Sequence, residues 1–254
     1  MKKLILAASI LAAFSANTAF AEEAAPAAAP VADHVVAYNF GATSDYRFRG
    51  ISQSRMKPAA FGGVDYTNNP TGLYVGAWTS TIRWVNDLGG DSNFEVDLYG
   101  GKRGEIGGIA YDVGLIRYYY PSNALPTVSA NTTEAYVQAG YGAAYIKYSQ
   151  ALTNFIGWGP DTDGSNYIDL SFNPELTDGY VLNLHVGKQV VKNYNAGSAD
   201  YTDWKVGVTK DFGFAVASVA IVGTDAVNDN TNYNFNNKGF TGKTGAYVSL
   251  TKSF

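Results

Sequence analysis

The chain of 254 residues has no cysteine, two histidines and two methionines. Without thiols there is no disulfide framework, although an exported fold of modest size often uses one. So few histidines and no thiols leave no donor set for a transition-metal site. After the first 21 residues no stretch approaches 18 consecutive apolar residues, which excludes a transmembrane helix. Nor does any long segment carry a 3.6-residue apolar period, so long amphipathic helices are excluded as well. Basic side chains are also scarce. Without Lys2 and Lys3, 16 Lys and Arg face 22 Asp and Glu, which argues against nucleic acid or anionic lipid as a partner.

What is abundant is glycine, at 28, and tyrosine, at 19. Residues 1–21 read as a secretory signal: Lys2 and Lys3, an apolar run, then Ala19-Phe20-Ala21 as an A-x-A-like cleavage site. Residues 22–33, EEAAPAAAPVAD, read as an Ala/Pro-rich periplasmic lead. From residue 34 onward the chain alternates with period two. Strands are expected near 34–43, 59–67, 72–82, 93–102, 108–119, 132–140, 142–152, 166–173, 179–190, 201–211, 213–223 and 240–254. Phe94, Val96 and Leu98 share one parity, and Glu95 and Asp97 share the other. Ile168, Leu170 and Phe172 similarly oppose Tyr167, Asp169 and Ser171.

Short and long connections take turns. NNPTG (68–72), RGEIGG (103–108), NPELTD (173–178) and DFG (211–213) are turn-like. Residues 44–58, 83–92, 121–131, 153–165, 191–200 and 224–239 are long. A β-sandwich gives no reason for this rhythm, whereas an up-and-down antiparallel β-barrel of the outer membrane does. The expected fold is therefore all-β, a transmembrane barrel of about twelve strands over residues 34–254. An even strand count places both chain ends in the periplasm. The alternating ending GAYVSLTKSF is then the closing strand, paired with the first because lipid tolerates no open edge. A terminal Phe254 suits recognition by the barrel-assembly machinery, while Lys252 departs from the usual apolar residue two places earlier.

The segment SDYRFRGISQS (44–54) resembles the TorF-type family of porins, exported proteins of unassigned function. Further resemblance lies in 95–121 and 205–226. The resemblance implies an outer-membrane β-barrel, a channel, with no established substrate and no assigned catalytic residues.

The inward parity assigns Asp65, Glu95, Asp97, Asp112, Glu134, Lys147, Asp169, His185, Asp203 and Lys205 to the lumen. Arg47 and Arg49 fall at the outer mouth, where they either engage anions or pair with carboxylates and lipid phosphates. The Tyr118–Tyr120 run, Trp84, Trp158 and Trp204 fit an interfacial aromatic girdle. A barrel hydrolase would need Ser near His185 in a nucleophile–base pair, but Gly187 occupies the place two residues on. Asp161, Asp163, Gly164, Asn166 and Asp169 have a calcium-loop flavour, yet Leu170 stands where the closing glutamate belongs. No metal and no cofactor is expected. The surplus of lumen carboxylates points to passive diffusion of small polar solutes or ions with mild cation preference. The alternatives are a closed structural or surface barrel and, behind it, a membrane-embedded hydrolase. The expected partners are outer-membrane lipids, the assembly machinery and the diffusing solutes.

Overall fold

The computed structural model describes residues 32–254 except 124, 126, 127, 229–231 and 235–237. The signal segment and nearly all of the lead lie outside the described residues. Twelve strands close into one antiparallel barrel. In chain order these are β1 (His34–Thr43), β4 (Ala59–Asn68), β5 (Leu73–Thr81), β6 (Phe94–Ile106), β7 (Ile109–Tyr119) and β8 (Thr132–Tyr141). They continue with β9 (Ala144–Ala151), β10 (Asn166–Phe172), β11 (Tyr180–Val190), β12 (Tyr201–Asp211), β13 (Val216–Thr224) and β14 (Gly245–Ser253). A separate hairpin, β2 (Arg47–Phe48) with β3 (Ile51–Ser52), belongs to the first long loop.

Every barrel strand pairs with its neighbours in sequence, and β14 closes on β1 with Gly41 opposite Thr251. The closure continues past the last strand residue, because Tyr38 and Phe254 exchange both backbone bonds at 3.1 and 2.9 Å. No strand edge is left for lipid to strip of hydrogen bonds. The ring of Phe254 lies 5.7 Å from Phe40, and the Lys252 ammonium turns to the Gly213 carbonyl at 3.2 Å.

Burial runs opposite to that of a soluble protein. Leu98, Leu115, Leu170, Ile221 and Leu250 are all more than half exposed on the outer wall, while Glu95, Asp97 and Glu134 are at most 1% exposed inside. Apolar residues outside and charges inside are what lipid around a polar bore requires. The ambiguous third strand is settled by the same rule: Tyr74, Trp78 and Ser80 of β5 point inward, and Leu73 and Val75 outward.

Several boundaries differ from the alternation reading. β6 continues to Ile106, and the turn is only Gly107–Gly108, both at positive φ (60° and 85°) that glycine adopts without strain. β14 begins at Gly245 rather than 240, because Thr241 and Lys243 spend their carbonyls on Arg47 and Ser52 of the first loop. β13 begins at Val216, after a turn closed by Phe212 N–H to the Ala215 carbonyl at 3.0 Å. All long loops share one rim, and all short turns and both barrel ends share the other.

Candidate functional site: a lumen crossed by the first long loop

The long loop 44–58 turns into the barrel. Its Ser52, Ser54, Arg47 and Tyr46 are all at most 5% exposed. Asp45 organises it: the carboxylate accepts from Arg47 Nε at 2.5 Å and from Ser52 Oγ at 2.5 Å. Arg47 also donates to the Gly50 and Lys243 carbonyls, each at 2.9 Å. The tip residue Arg49, at φ 47°, then reaches across the bore. Its guanidinium forms a two-pronged pair with Glu134 of β8 at 3.0 and 2.6 Å and donates to Gln189 Oε1 of β11 at 2.8 Å. The aromatic faces of Phe48 and Tyr167 lie 4.7 and 4.4 Å from the same cation. Burial opposes the charge on Arg49, and Glu134 together with Tyr118 and Tyr167 more than offsets it, so the guanidinium titrates above its ordinary value. Arg47 and Arg49 thus turn inward at the long-loop end of the bore, where each pairs with a carboxylate, Asp45 and Glu134 respectively.

The lumen wall is a lattice of tyrosines and carboxylates. Tyr46 donates to Glu95 at 2.7 Å, Tyr99 to Asp65 at 2.6 Å, Tyr74 to Asp112 at 2.6 Å and Tyr167 to Asp203 at 2.8 Å. Tyr118 and Tyr145 serve Glu134 and Asp169 at 3.3 and 3.2 Å, and Tyr74 also meets Tyr136. Outside the strands, Tyr46 and Tyr120 are held well above the ordinary phenol range, by burial first and by Glu95 second, so both stay protonated donors. Glycines on the same parity make room for these rings. A Cβ on Gly76 would stand 2.4 Å from the Tyr99 ring, and one on Gly187 would stand 2.0 Å from the Tyr167 hydroxyl.

The remaining charges interlock. His185 Nδ1 lies 3.0 Å from Asp169 and its Nε2 lies 2.8 Å from Asp203. Lys205 interacts electrostatically with the same two carboxylates, and Lys147 with Asp112, Asp169 and Glu134. Lys147 also sits 4.1 Å over the Tyr136 ring. Together with Arg49, the side chains of Lys147, Asp169, His185, Asp203 and Lys205 line a cavity of about 90 Å³.

The sequence profile of a bacterial protein family of unknown function, Gcw_chp, matches residues 27–254. The chain belongs to the Gcw_chp family. No curated protein matches it significantly. Among solved structures, this Gcw_chp barrel is similar to the KdgM porin, determined in complex with disordered oligogalacturonate. The TM-score is 0.53 at 6% identity, covering 86% of this chain and 98% of that one. It also aligns with the COG4313 outer membrane channel from Pseudomonas putida F1, at TM-score 0.46, 13% identity and 91% and 100% coverage. The fold is that of an outer-membrane porin barrel. The match to residues 27–254 carries the Gcw_chp name and not the TorF name that the 44–54 motif suggested.

Strand neighbours supply the Gcw_chp lumen with a serine that linear spacing around His185 does not show. Ser171 of β10 lies 3.2 Å from His185 Nδ1. Ser171 donates to Asp169 at 2.8 Å, and both ring nitrogens of His185 face carboxylates, so the serine proton is directed to Asp169 rather than to the imidazole. In the calcium-like stretch, Asp161 and Asp163 are exposed on the loop while Asp169 faces the lumen on His185, so they do not converge. The expected aromatic girdle divides. Tyr119 and Trp204 face outward, whereas Tyr118 and Tyr120 are at most 4% exposed inside and Trp84 and Trp158 cap the long-loop end. Arg103 is a lumen residue that sequence reading missed. It lies 5.3 Å from the Tyr74 ring and interacts with Asp65 and Asp112. Its signal is the parity shared by Glu95, Asp97, Tyr99, Gly101 and Arg103, which the turn-like composition of RGEIGG masks.

Proposed function

We propose that this protein is a narrow outer-membrane channel for small polar solutes or ions, without enzymatic activity, whose conductance is set by loop 44–58. The observation that carries this reading is the Arg49 bridge from β8 to β11 across an otherwise polar, charge-lined bore. A mild cation preference follows from charge placement. Arg49 is matched by Glu134 and His185 by Asp169 and Asp203, while among the described residues no ion pair reaches Glu95 or Asp97. Movement of the loop would hydrate these two buried carboxyls, so that they ionise beside the solute path. The long loops then face the medium and the chain ends face the periplasm, with Phe254 at the rim where assembly machinery would read the closing strand.

Planar-bilayer recording of the refolded full-length protein tests this. The expected result is a small conductance whose reversal potential under a salt gradient lies on the cation side. Glu95→Gln with Asp97→Asn should move it toward zero, and high salt should weaken it. Anion selectivity of the wild type would overturn the charge assignment. The complete burial of Glu95, Asp97 and Glu134 favours a second reading, a closed barrel whose loops act at the cell surface. Absence of conductance at any voltage, in both wild type and a loop-shortened variant, would select that reading.

A further inference from the structure

At the long-loop rim, beside the 44–58 loop, lies a second cavity of about 420 Å³. Its character is unlike that of the bore. Phe48, Trp84, Phe155, Trp158, Tyr194 and Tyr233 supply aromatic walls, and no charged side chain is found among the described residues that line it. The rings brace one another edge to face: Trp158 stands 4.9 Å from Tyr194 and 5.0 Å from Tyr233, and Tyr233 stands 5.1 Å from Tyr201. Such packing holds the cavity open in advance, so a guest meets little reorganisation cost.

The polar groups of the lining are largely spent on the protein. Gln189 donates to the Asn166 and Val190 carbonyls at 3.0 and 3.1 Å, and its oxygen accepts from Arg49. The Gln53 amide donates to the Ile51 carbonyl at 3.0 Å, the Asn232 amide to Ser198 at 2.7 Å and the Tyr233 hydroxyl to Ala199 at 2.6 Å. What remains for a guest is aromatic surface. A charged solute would lose hydration here without a counter-charge, and a sugar would leave hydroxyls poorly matched. A small neutral aromatic molecule carries no charge and at most one hydroxyl to match, and it gains ring–ring contact.

We propose that this vestibule is a binding site for small, neutral aromatic molecules. The site is independent of whether the lumen conducts, since binding is read at equilibrium. Its floor, Phe48 and Gln189, is also the cradle of Arg49, so occupancy bears directly on the bridge that spans the bore.

Fluorine NMR of the full-length protein refolded in detergent tests the proposal with 4-fluorophenol, with 4-fluorobenzoate as an anionic aromatic and with 2-deoxy-2-fluoroglucose. Saturable broadening is expected for 4-fluorophenol alone. Leu88→Trp, which fills the cavity, and Trp158→Ala, which removes a wall, should each weaken it at least tenfold. Heat-modifiable gel migration verifies that each variant is folded. Trp204→Phe, on the lipid-facing wall, should leave binding unchanged and so separates the cavity from detergent-phase effects. No saturable binding, equal binding by the Leu88→Trp variant, or a fluorosugar or fluorobenzoate that binds as well as the phenol would each overturn it.

Discussion

The two halves of the lumen use the same residues and behave differently. Toward the short turns, Asp112, Lys147, Tyr136 and Tyr145 are half-buried, while Asp65, Tyr74, Asn183 and Thr209 are at most 7% exposed. Toward the long loops, Glu95, Asp97, Glu134 and Asp203 are at most 1% exposed, under the 44–58 loop and a layer of aromatic rings. Both halves hold carboxylates by tyrosine hydroxyls, and both come from the same inward parity. The difference is what does the burying: wall side chains alone toward the short turns, and the 44–58 loop in addition toward the long loops.

Removing the loop should abolish the contrast and gives the largest effect. Replacing residues 46–56 by a short Gly/Ser link is expected to raise single-channel conductance several-fold. An unchanged conductance would mean that the long-loop half is closed by the wall itself.

Loosening the loop without deleting it sharpens the comparison. Arg49→Ala leaves Glu134 buried without its cation, a loss of about 3–5 kcal/mol for a broken buried pair. The absence of cysteine makes the readout simple: in a Ser52→Cys background the buried thiol reports local opening. Labelling should accelerate at least about a hundredfold with Arg49→Ala, and Arg49→Ala with Glu134→Gln should recover most of the protection. If labelling is unaffected, the bridge does not hold the loop.

A wall substitution near the junction of the halves should act less. Gly187→Ala would drive a methyl into Tyr167 and loosen its bonds to Asp203 and His185, costing about 1–3 kcal/mol by overpacking. A lowered temperature of the heat-modifiable gel transition would register it. The smallest effect belongs to the short-turn half. Tyr99→Phe deletes the hydroxyl that serves Asp65 and should cost about 1 kcal/mol, with little change in Ser52→Cys labelling. A large change in labelling there would show that the two halves are coupled through the wall.

Much of the wall was legible because a strand has only two faces. Once Leu98 and Leu170 are placed toward lipid, Glu95, Asp97 and Asp169 have nowhere to point but inward. The same logic reached His185, Lys147 and Lys205, and it would have reached Arg103 had the alternation been followed to the end of β6. The short turns were legible in place but not in length, because Gly-rich stretches such as RGEIGG fit both a strand end and a turn.

The loops carry no period. Arg47 and Arg49 alternate within YRFRG, yet nothing local states that Asp45 and Ser52 would fold the segment back into the bore, or that Glu134 and Gln189 would receive its tip. Those partners are 85 and 140 residues away along the chain. Tyrosine was misread for a related reason. Its amphipathic ring suits a lipid interface and a polar lumen equally, and only the neighbouring strand, with a glycine such as Gly76 or Gly187 opposite, selects the lumen. The sequence by itself determined a closed twelve-stranded barrel with a charged interior, because period-two alternation and a lipid solvent admit no other arrangement of backbone and apolar side chains. Only the tertiary structure decided that the interior is crossed by a buried arginine and capped by an aromatic vestibule, because both depend on contacts between loops that no local periodicity encodes.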